Sequence, residues 1–237
     1  MSQFPLATPV IQAQDIERSF QGGGLDVMAV NGVSLDIRQG ELLVIMGRSG
    51  SGKTTLLNLL GGLDRPTGGA IFWQGLDTAA MSEKDFTRRR RQNFGFVFQS
   101  FGLLPLLSAF ENVDIALWIR GVKGQERRQR ALQALKDVGL ASRVSHRPYE
   151  LSGGEQQRLA IARALAVNPT VVLADEPTGG LDSATAKDIA QILKGMAAQM
   201  NVAMVVVTHD PTFTPLADRI QEIADGRLSA KAVDYAT

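Results

Sequence analysis

Cysteine is absent from the 237 residues, which removes disulfides, thiolate zinc sites and cysteine nucleophiles together. Net charge is nearly absent too. The 25 Lys and Arg against 24 Asp and Glu leave +1, so no general electrostatic pull draws the chain toward nucleic acid or an anionic membrane. No apolar run approaches the roughly 18 consecutive residues of a membrane span; the longest, such as residues 202–207, are strand-sized. Residues 1–9 lack the basic segment and apolar core of a secretion signal. If the protein works at a membrane, something else must anchor it there. The remaining composition, 44% hydrophobic and 21% charged, is that of a folded chain with room for one large domain or two subdomains sharing a core.

Texture changes along the chain suggest how that core is organised. Short β-like runs at 10–20 and 33–37, separated by Gly22-Gly23-Gly24, read as an antiparallel sheet. A strand at 41–46 leads through a Gly-rich loop into a Leu-rich helix at 53–60, closed by Gly61-Gly62. Ser108 with Glu111 forms a capping box opening one helix, and 124–138 reads as a second, with Leu132, Leu135 and Val138 on one face. This helical stretch interrupts an α/β pattern that resumes as strand 170–174, helix 184–200, strand 203–207 and a last strand at 219–224. Ile189, Ile192, Leu193 and Met196 supply the 3.6-residue stripe of the long helix. Strands alternating with helices predict a largely parallel sheet with its ligand at the carboxyl ends of the strands.

Gly47-Arg48-Ser49-Gly50-Ser51-Gly52-Lys53-Thr54 has the spacing G-x-x-x-x-G-K-[ST] between a strand and a helix. A triphosphate is densely anionic and needs many donors in a small space. Glycines let backbone N–H groups converge on it, and the helix N-terminus adds the positive end of its dipole. Lys53 is placed to reach the β and γ phosphates and Thr54 to ligate Mg²⁺. Residues 171–174 form an apolar run that suits a strand buried on both faces, and it ends in Asp175-Glu176. Asp175 is placed for Mg²⁺ and Glu176 for the attacking water as general base.

The segment Leu151-Ser152-Gly153-Gly154-Glu155-Gln156-Gln157-Arg158 is another capping box, so a helix begins here and runs to about Ala166. An ordinary N-cap does not need two consecutive glycines, and exposed glycines at a helix start form a second anion site, separate from the first. One chain with two phosphate-receiving helix ends points to a site completed by a neighbour.

Here the sequence resembles the ABC ATPase family over nearly its whole length, with the LSGGE-Q signature present without departure. The resemblance implies a P-loop NTPase α/β fold with a mostly parallel sheet, an N-terminal antiparallel β subdomain and an inserted α-helical subdomain. All 237 residues then form one ABC ATPase domain, with 10–98 and 168–228 as core, 99–167 as the helical signature subdomain, and tails at 1–9 and 229–237. Gln99 matches the Q-loop, implying γ-phosphate and Mg²⁺ sensing. Gly180-Leu181-Asp182 matches the D-loop, although Gly180 stands where Ala or Asn is more usual. His209 matches the switch histidine, and Phe20 falls where an aromatic, usually Tyr, stacks on adenine. The resemblance thus assigns Glu176, His209, Lys53 and Gln99 to catalysis. It assigns Phe20, Gly47, Ser49, Gly50, Ser51, Gly52, Thr54, Thr55, Ser152, Gly153, Gly154, Glu155 and Asp182 to nucleotide binding with Lys53, Gln99 and His209. Thr54, Gln99 and Asp175 fall to the metal. It implies ATP and Mg²⁺ as cofactors and a homodimer closing head to tail around two ATP molecules.

The apolar loop Ser100-Phe101-Gly102-Leu103-Leu104-Pro105 is either packed on the helical subdomain or, as in the family, a dock for a permease. Residues 56–69, 99–105 and 111–113 resemble the branch of lipoprotein-releasing, macrolide-export, antimicrobial-peptide-resistance and cell-division ATPases. That implies a bacterial cytoplasmic protein at the inner face of the membrane, powering export or extraction through a separate permease chain. The alternatives are a soluble ABC ATPase acting on DNA or ribosomes and a cell-division-type mechanotransmission ATPase. The 52 residues from Gln99 to Leu151 leave space only for a compact helical insert. Arg88-Arg89-Arg90-Arg91 reads as a solvated helix face rather than a nucleic-acid site, and His146 as a packed or surface residue.

Overall fold

The computed structural model describes residues 9–22 and 25–229; the sequence-assigned tails fall mostly outside them. The chain runs through β1 (Ile11–Gly22), β2 (Leu25–Ile37), β3 (Leu42–Met46), α1 (Lys53–Leu60), β4 (Gly68–Trp73), β5 (Leu76–Asp77), α2 (Glu83–Asn93) and β6 (Phe94–Val97). It continues as α3 (Ala109–Ile119), α4 (Gly124–Asp137), α5 (Gly153–Ala166), β7 (Val171–Asp175), α6 (Ser183–Met200), β8 (Ala203–Thr208), β9 (Arg219–Ala224) and β10 (Arg227–Leu228).

Two sheets sandwich α1. The larger has the order β10-β9-β3-β8-β7-β6, parallel except for β10, and the smaller is antiparallel in the order β2-β1-β4-β5. The β1–β2 hairpin extends well beyond the runs read from the sequence, because β2 includes Leu25–Gly32. The strand at Gly68–Trp73 has no counterpart in the sequence reading.

The period of two in each central strand sorts the apolar side chains. Leu43, Ile45, Val205 and Val207 face α1 and the small sheet, meeting Leu56, Leu60, Ile11 and Ile16. Leu42, Val44, Met204 and Val206 face the other way, toward Ile189 and Leu193 of α6 and the helices around Leu117, Leu135 and Leu159. The central strands β7 and β8 are buried along their whole length, as residues covered on both faces must be. Each such aliphatic side chain contributes about 2 kcal/mol of burial.

The expected capping boxes are formed. Ser108 and Glu111 open α3, and Ser152 and Glu155 open α5. Helices α3, α4 and α5 pack on one another around Val113, Leu117, Ala131, Leu135 and Leu159. The Arg88–Arg91 run lies on α2, where Arg90 bonds the Gly62 carbonyl and Arg88 pairs with Asp85.

Candidate active site

Strands β3, β7 and β8 are parallel neighbours, so their carboxyl ends bring residues 47–54, 175–176 and 208–209 to one edge of the sheet, where such sheets bind ligands. Between β3 and α1 the chain turns through Gly50 and Gly52 at φ 78° and 102°. A Cβ at Gly52 would run into the Ala29 carbonyl oxygen. Strand β2 carries that residue as the extra one between the rungs Arg18–Val30 and Ser19–Met28, a bulge that brings backbone up to the loop.

The result is a cavity of 280 Å³ lined by Ser49, Gly50, Gly52, Lys53, Thr54 and Thr55 of the loop, with Gln99, Glu176, His209 and Ala29 around it. Lys53 is almost fully buried. Its Nζ donates to the carbonyls of Gly47 at 2.7 Å and Arg48 at 2.9 Å, and lies 3.5 Å from Glu176 Oε1. Glu176 sits in the left-handed region at φ 44°. For a residue with a Cβ this costs about 1 kcal/mol, and such strain concentrates at functional sites. Its carboxylate is held from three sides: by the Thr208 hydroxyl at 2.8 Å, the His209 amide at 3.3 Å and His209 Nδ1 at 3.0 Å.

Asp175 is buried beside this cluster, and its Oδ1 has no hydrogen-bond partner. Burial pushes its carboxyl above the usual carboxylate range, against the pull of the Thr54 hydroxyl bonded to it. A buried carboxylate oxygen without a donor is costly in protein alone. It fits a cation at this place, with Thr54 as its neighbour. Among the described residues no group of three or more carboxylates or imidazoles is placed to hold a metal by itself.

A second cavity, of 480 Å³, lies at the start of α5 between Ser152, Gly153, Gly154, Glu155 and the segment from Gly180 to Thr185. It shares no residue with the first. A Cβ on Gly154 would lie 2.5 Å from Thr185 Cγ2, so a larger residue there would press on the start of α6. The Ser152 amide, foremost, and then Arg143 hold the Glu155 carboxyl below its ordinary range. Asp182 belongs to this cavity rather than the first. It caps α6, accepting from the amides of Ala184 and Thr185 and from the Thr185 hydroxyl.

Residues 30–179 match the family model described as ABC transporter. The chain belongs to the ABC transporter family. It is 46% identical over 223 residues to the lipoprotein-releasing system ATP-binding protein LolD of Chromohalobacter salexigens, covering 94% of each. It is 45% identical to the macrolide export ATP-binding/permease protein MacB of Brucella abortus, covering 93% of this chain but only 34% of that one. This chain thus spans about a third of that relative's length. A dimeric post-hydrolysis structure of the cassette MJ0796 of Methanocaldococcus jannaschii, bound to ADP and Pi, superposes with a TM-score of 0.87 at 41% identity over 94% of this chain and 99% of that one.

Within this ABC cassette the structure gathers Ser49, Gly50, Gly52, Lys53, Thr54, Thr55, Gln99, Glu176 and His209 around the first cavity, and Ser152, Gly153, Gly154, Glu155 and Asp182 around the second. Gly47 and Ser51 belong to the loop but are not among the residues lining the cavity; a Cβ on Gly47 would be 2.6 Å from the Ser51 hydroxyl. Phe20 is not among the residues lining either cavity. It is half-exposed near the end of β1, opposite Val27, with the Arg18 guanidinium 4.6 Å from its ring centre and Arg18 paired to Asp64.

Four residues of the site escape sequence reasoning. Ala29 carries no signal at all, because it acts through its carbonyl. Thr208, Thr178 and Asp210 are polar neighbours of assigned residues. Thr178 donates to Asp210 at 2.6 Å. Burial works to raise the Asp210 carboxyl, but the bonds from Thr178 and Thr212 outweigh it and leave it low.

Proposed function

We propose that two copies of this cassette close head to tail on two ATP molecules, and that hydrolysis reopens them to drive a separate membrane permease. The carrying observation is that the phosphate-loop cavity and the signature cavity lie in one chain without a shared lining residue. Each helix N-terminus receives anionic oxygens, so a second copy is the natural way to bring both onto one nucleotide.

In this reading Lys53 releases the Gly47 and Arg48 carbonyls to meet the β and γ phosphates, while the amides of residues 49–54 surround them. Ser152 and Gly154 approach the γ-phosphate from the other copy. Phe20 offers its ring to adenine near the end of β1. Thr54, Asp175 and Gln99 would hold Mg²⁺, which would neutralise charge developing on the phosphate oxygens. Glu176 accepts the proton of the attacking water as general base, aimed by Thr208, and His209 orients the γ-phosphate. Only the triphosphate supplies the γ contacts, so only it favours the closed dimer.

Among the described residues no helix is long and apolar enough to cross a membrane. A groove of 380 Å³, lined by Leu63, Phe98, Ile119, Arg120 and Arg163, runs beside the loop after Gln99, and Leu104, Leu106 and Trp118 are exposed nearby. This apolar face supports docking of the permease at the inner face of a bacterial membrane. The likeness to LolD and MacB favours export or extraction from the membrane as the work performed.

The test is Glu176→Gln, purified with and without ATP from its own host. The expected result is an ATP-dependent dimer that no longer turns over and brings down a polytopic membrane protein. Normal turnover would remove Glu176 as the base. Recovery of ribosomes or DNA-binding proteins without a membrane partner would remove the transport role.

A further inference from the structure

The residues that follow Gln99 are held by the helices α3 and α5 rather than by the sheet that ends two residues before Gln99. Arg163, in the last part of α5, donates from Nη1 to the Gly102 carbonyl at 2.5 Å and from Nη2 to the Phe101 carbonyl at 3.0 Å. Both acceptors are left-handed, Phe101 at φ 61° and Gly102 at φ 58°. Phenylalanine takes that conformation only when its surroundings impose it. Further along, Asn112 of α3 accepts from the Leu104 amide at 2.8 Å, and its Nδ2 lies 3.0–3.1 Å from the carbonyls of Leu104, Leu107 and Ser108.

Strand β6 ends at Val97, so a bridge of three residues, 98–100, separates the sheet from the Arg163 clamp. Gln99 is the middle one. Phe98 stays with the sheet, stacked on Phe96 at 5.9 Å, while its carbonyl accepts from the Phe101 amide at 2.9 Å. The Gln99 side chain lines the phosphate cavity and packs beside Gly179, where a Cβ would stand 3.4 Å from its Nε2.

Arg163 is costly unless it has this task. Among the described residues no carboxylate pairs with it, and burial alone pushes its guanidinium below the ordinary value. It spends its charge on two carbonyls of one strained turn. It also lies ten residues beyond Gly153 on an unbroken helix, about 15 Å along the axis.

We propose that Arg163 is the positioning residue that ties Gln99 to the signature helix, so that movement of α5 against the sheet is carried into the phosphate cavity through the Phe101–Gly102 turn. The proposal rests on the reading of the two cavities as halves of one ATP site. Arg163 touches neither cavity, so its removal leaves the phosphate loop intact. What it changes is whether Gln99 arrives when the signature helix does.

The experiment compares the full chain with Arg163→Met and Arg163→Lys. It measures melting temperature, ATP affinity, ATP turnover, and amide exchange of residues 98–104 with and without MgATP. Arg163→Met is expected to keep ATP affinity within about threefold while turnover falls at least tenfold. Exchange at 101–104 should rise, and its response to MgATP should disappear. Arg163→Lys, which can still reach one carbonyl, should recover a substantial part of both. If Arg163→Met does not fold, Arg163→Lys must still show the intermediate turnover and weakened response. Unchanged turnover, an unchanged response of residues 98–104, or equal losses of affinity and turnover overturns the proposal. If the unsubstituted chain neither binds nor hydrolyses ATP, the ATP-site reading falls; if it binds without turning over, the exchange response alone decides for or against Arg163.

Discussion

The Thr208 hydroxyl donates to Glu176 Oε2 at 2.8 Å and itself accepts from the Asp210 amide at 3.0 Å, so the last residue of β8 aims the carboxylate that follows β7. Thr208 is fully buried, and the two strands are hydrogen-bonded up to the rung Asp175–Val207. The aim is therefore fixed by the sheet itself. Thr208→Val keeps shape and β preference but removes the donor. Its turnover should drop on the order of 10- to 100-fold through misplacement of the Glu176 carboxylate proposed as the base, with ATP affinity nearly unchanged. Thr208→Ser should stay close to the parent. Equal turnover in the Val and Ser variants would show that the hydroxyl does not position Glu176.

Separation of the two cavities gives a prediction in trans. Among the described residues, Lys53→Met removes the only buried cation of the phosphate-loop cavity, and Gly154→Asp crowds Thr185 and brings a carboxylate into the signature cavity. Each variant alone should be inactive. Mixed, the two should regain activity, because a heterodimer combines the intact Lys53 of one copy with the intact Gly154 of the other. Turnover of the mixture is the measurement, and a mixture as inactive as its parts would refute the shared site.

Most of the candidate site's local geometry was legible because it is written in contiguous residues. The phosphate loop, Asp175-Glu176 and the α5 capping box each carry their geometry in local spacing, and the structure folds each as the spacing requires. Long-range devices left no such mark. Strand β4 begins Gly68-Gly69 and ends at Trp73, whose ring is buried against Phe86 and Phe94 and whose Nε1 bonds the Leu60 carbonyl. Nothing in its local pattern discloses that pairing with β1. The Ala29 bulge, the Thr178–Asp210 bond and the Arg163 clamp likewise depend on partners far away in sequence, and a carbonyl that acts through backbone has no residue type to betray it.

The capping carboxyls of α3, α5 and α6 are expected to make the fold sensitive to acid. The carboxyls of Glu111, Glu155 and Asp182 all lie below their ordinary range. Hydrogen bonds from Ser108, from the Ser152 amide and from Thr185 are the first causes respectively. For a carboxyl whose folded value is depressed, the ionised form favours the folded state. That stabilisation is complete above the unfolded value of about 4 and is lost as pH falls through the lower folded values. Asp175 works in the opposite direction, since burial raises it, so the total slope is less telling than a difference between variants. Glu111→Gln, Glu155→Gln and Asp182→Asn retain capping oxygens but cannot ionise. The triple variant should melt lower than the parent at pH 6 and lose fewer degrees between pH 6 and pH 3.5. Melting curves at both pH values provide the check, and parallel losses in the two proteins would mean that the caps do not carry the acid sensitivity.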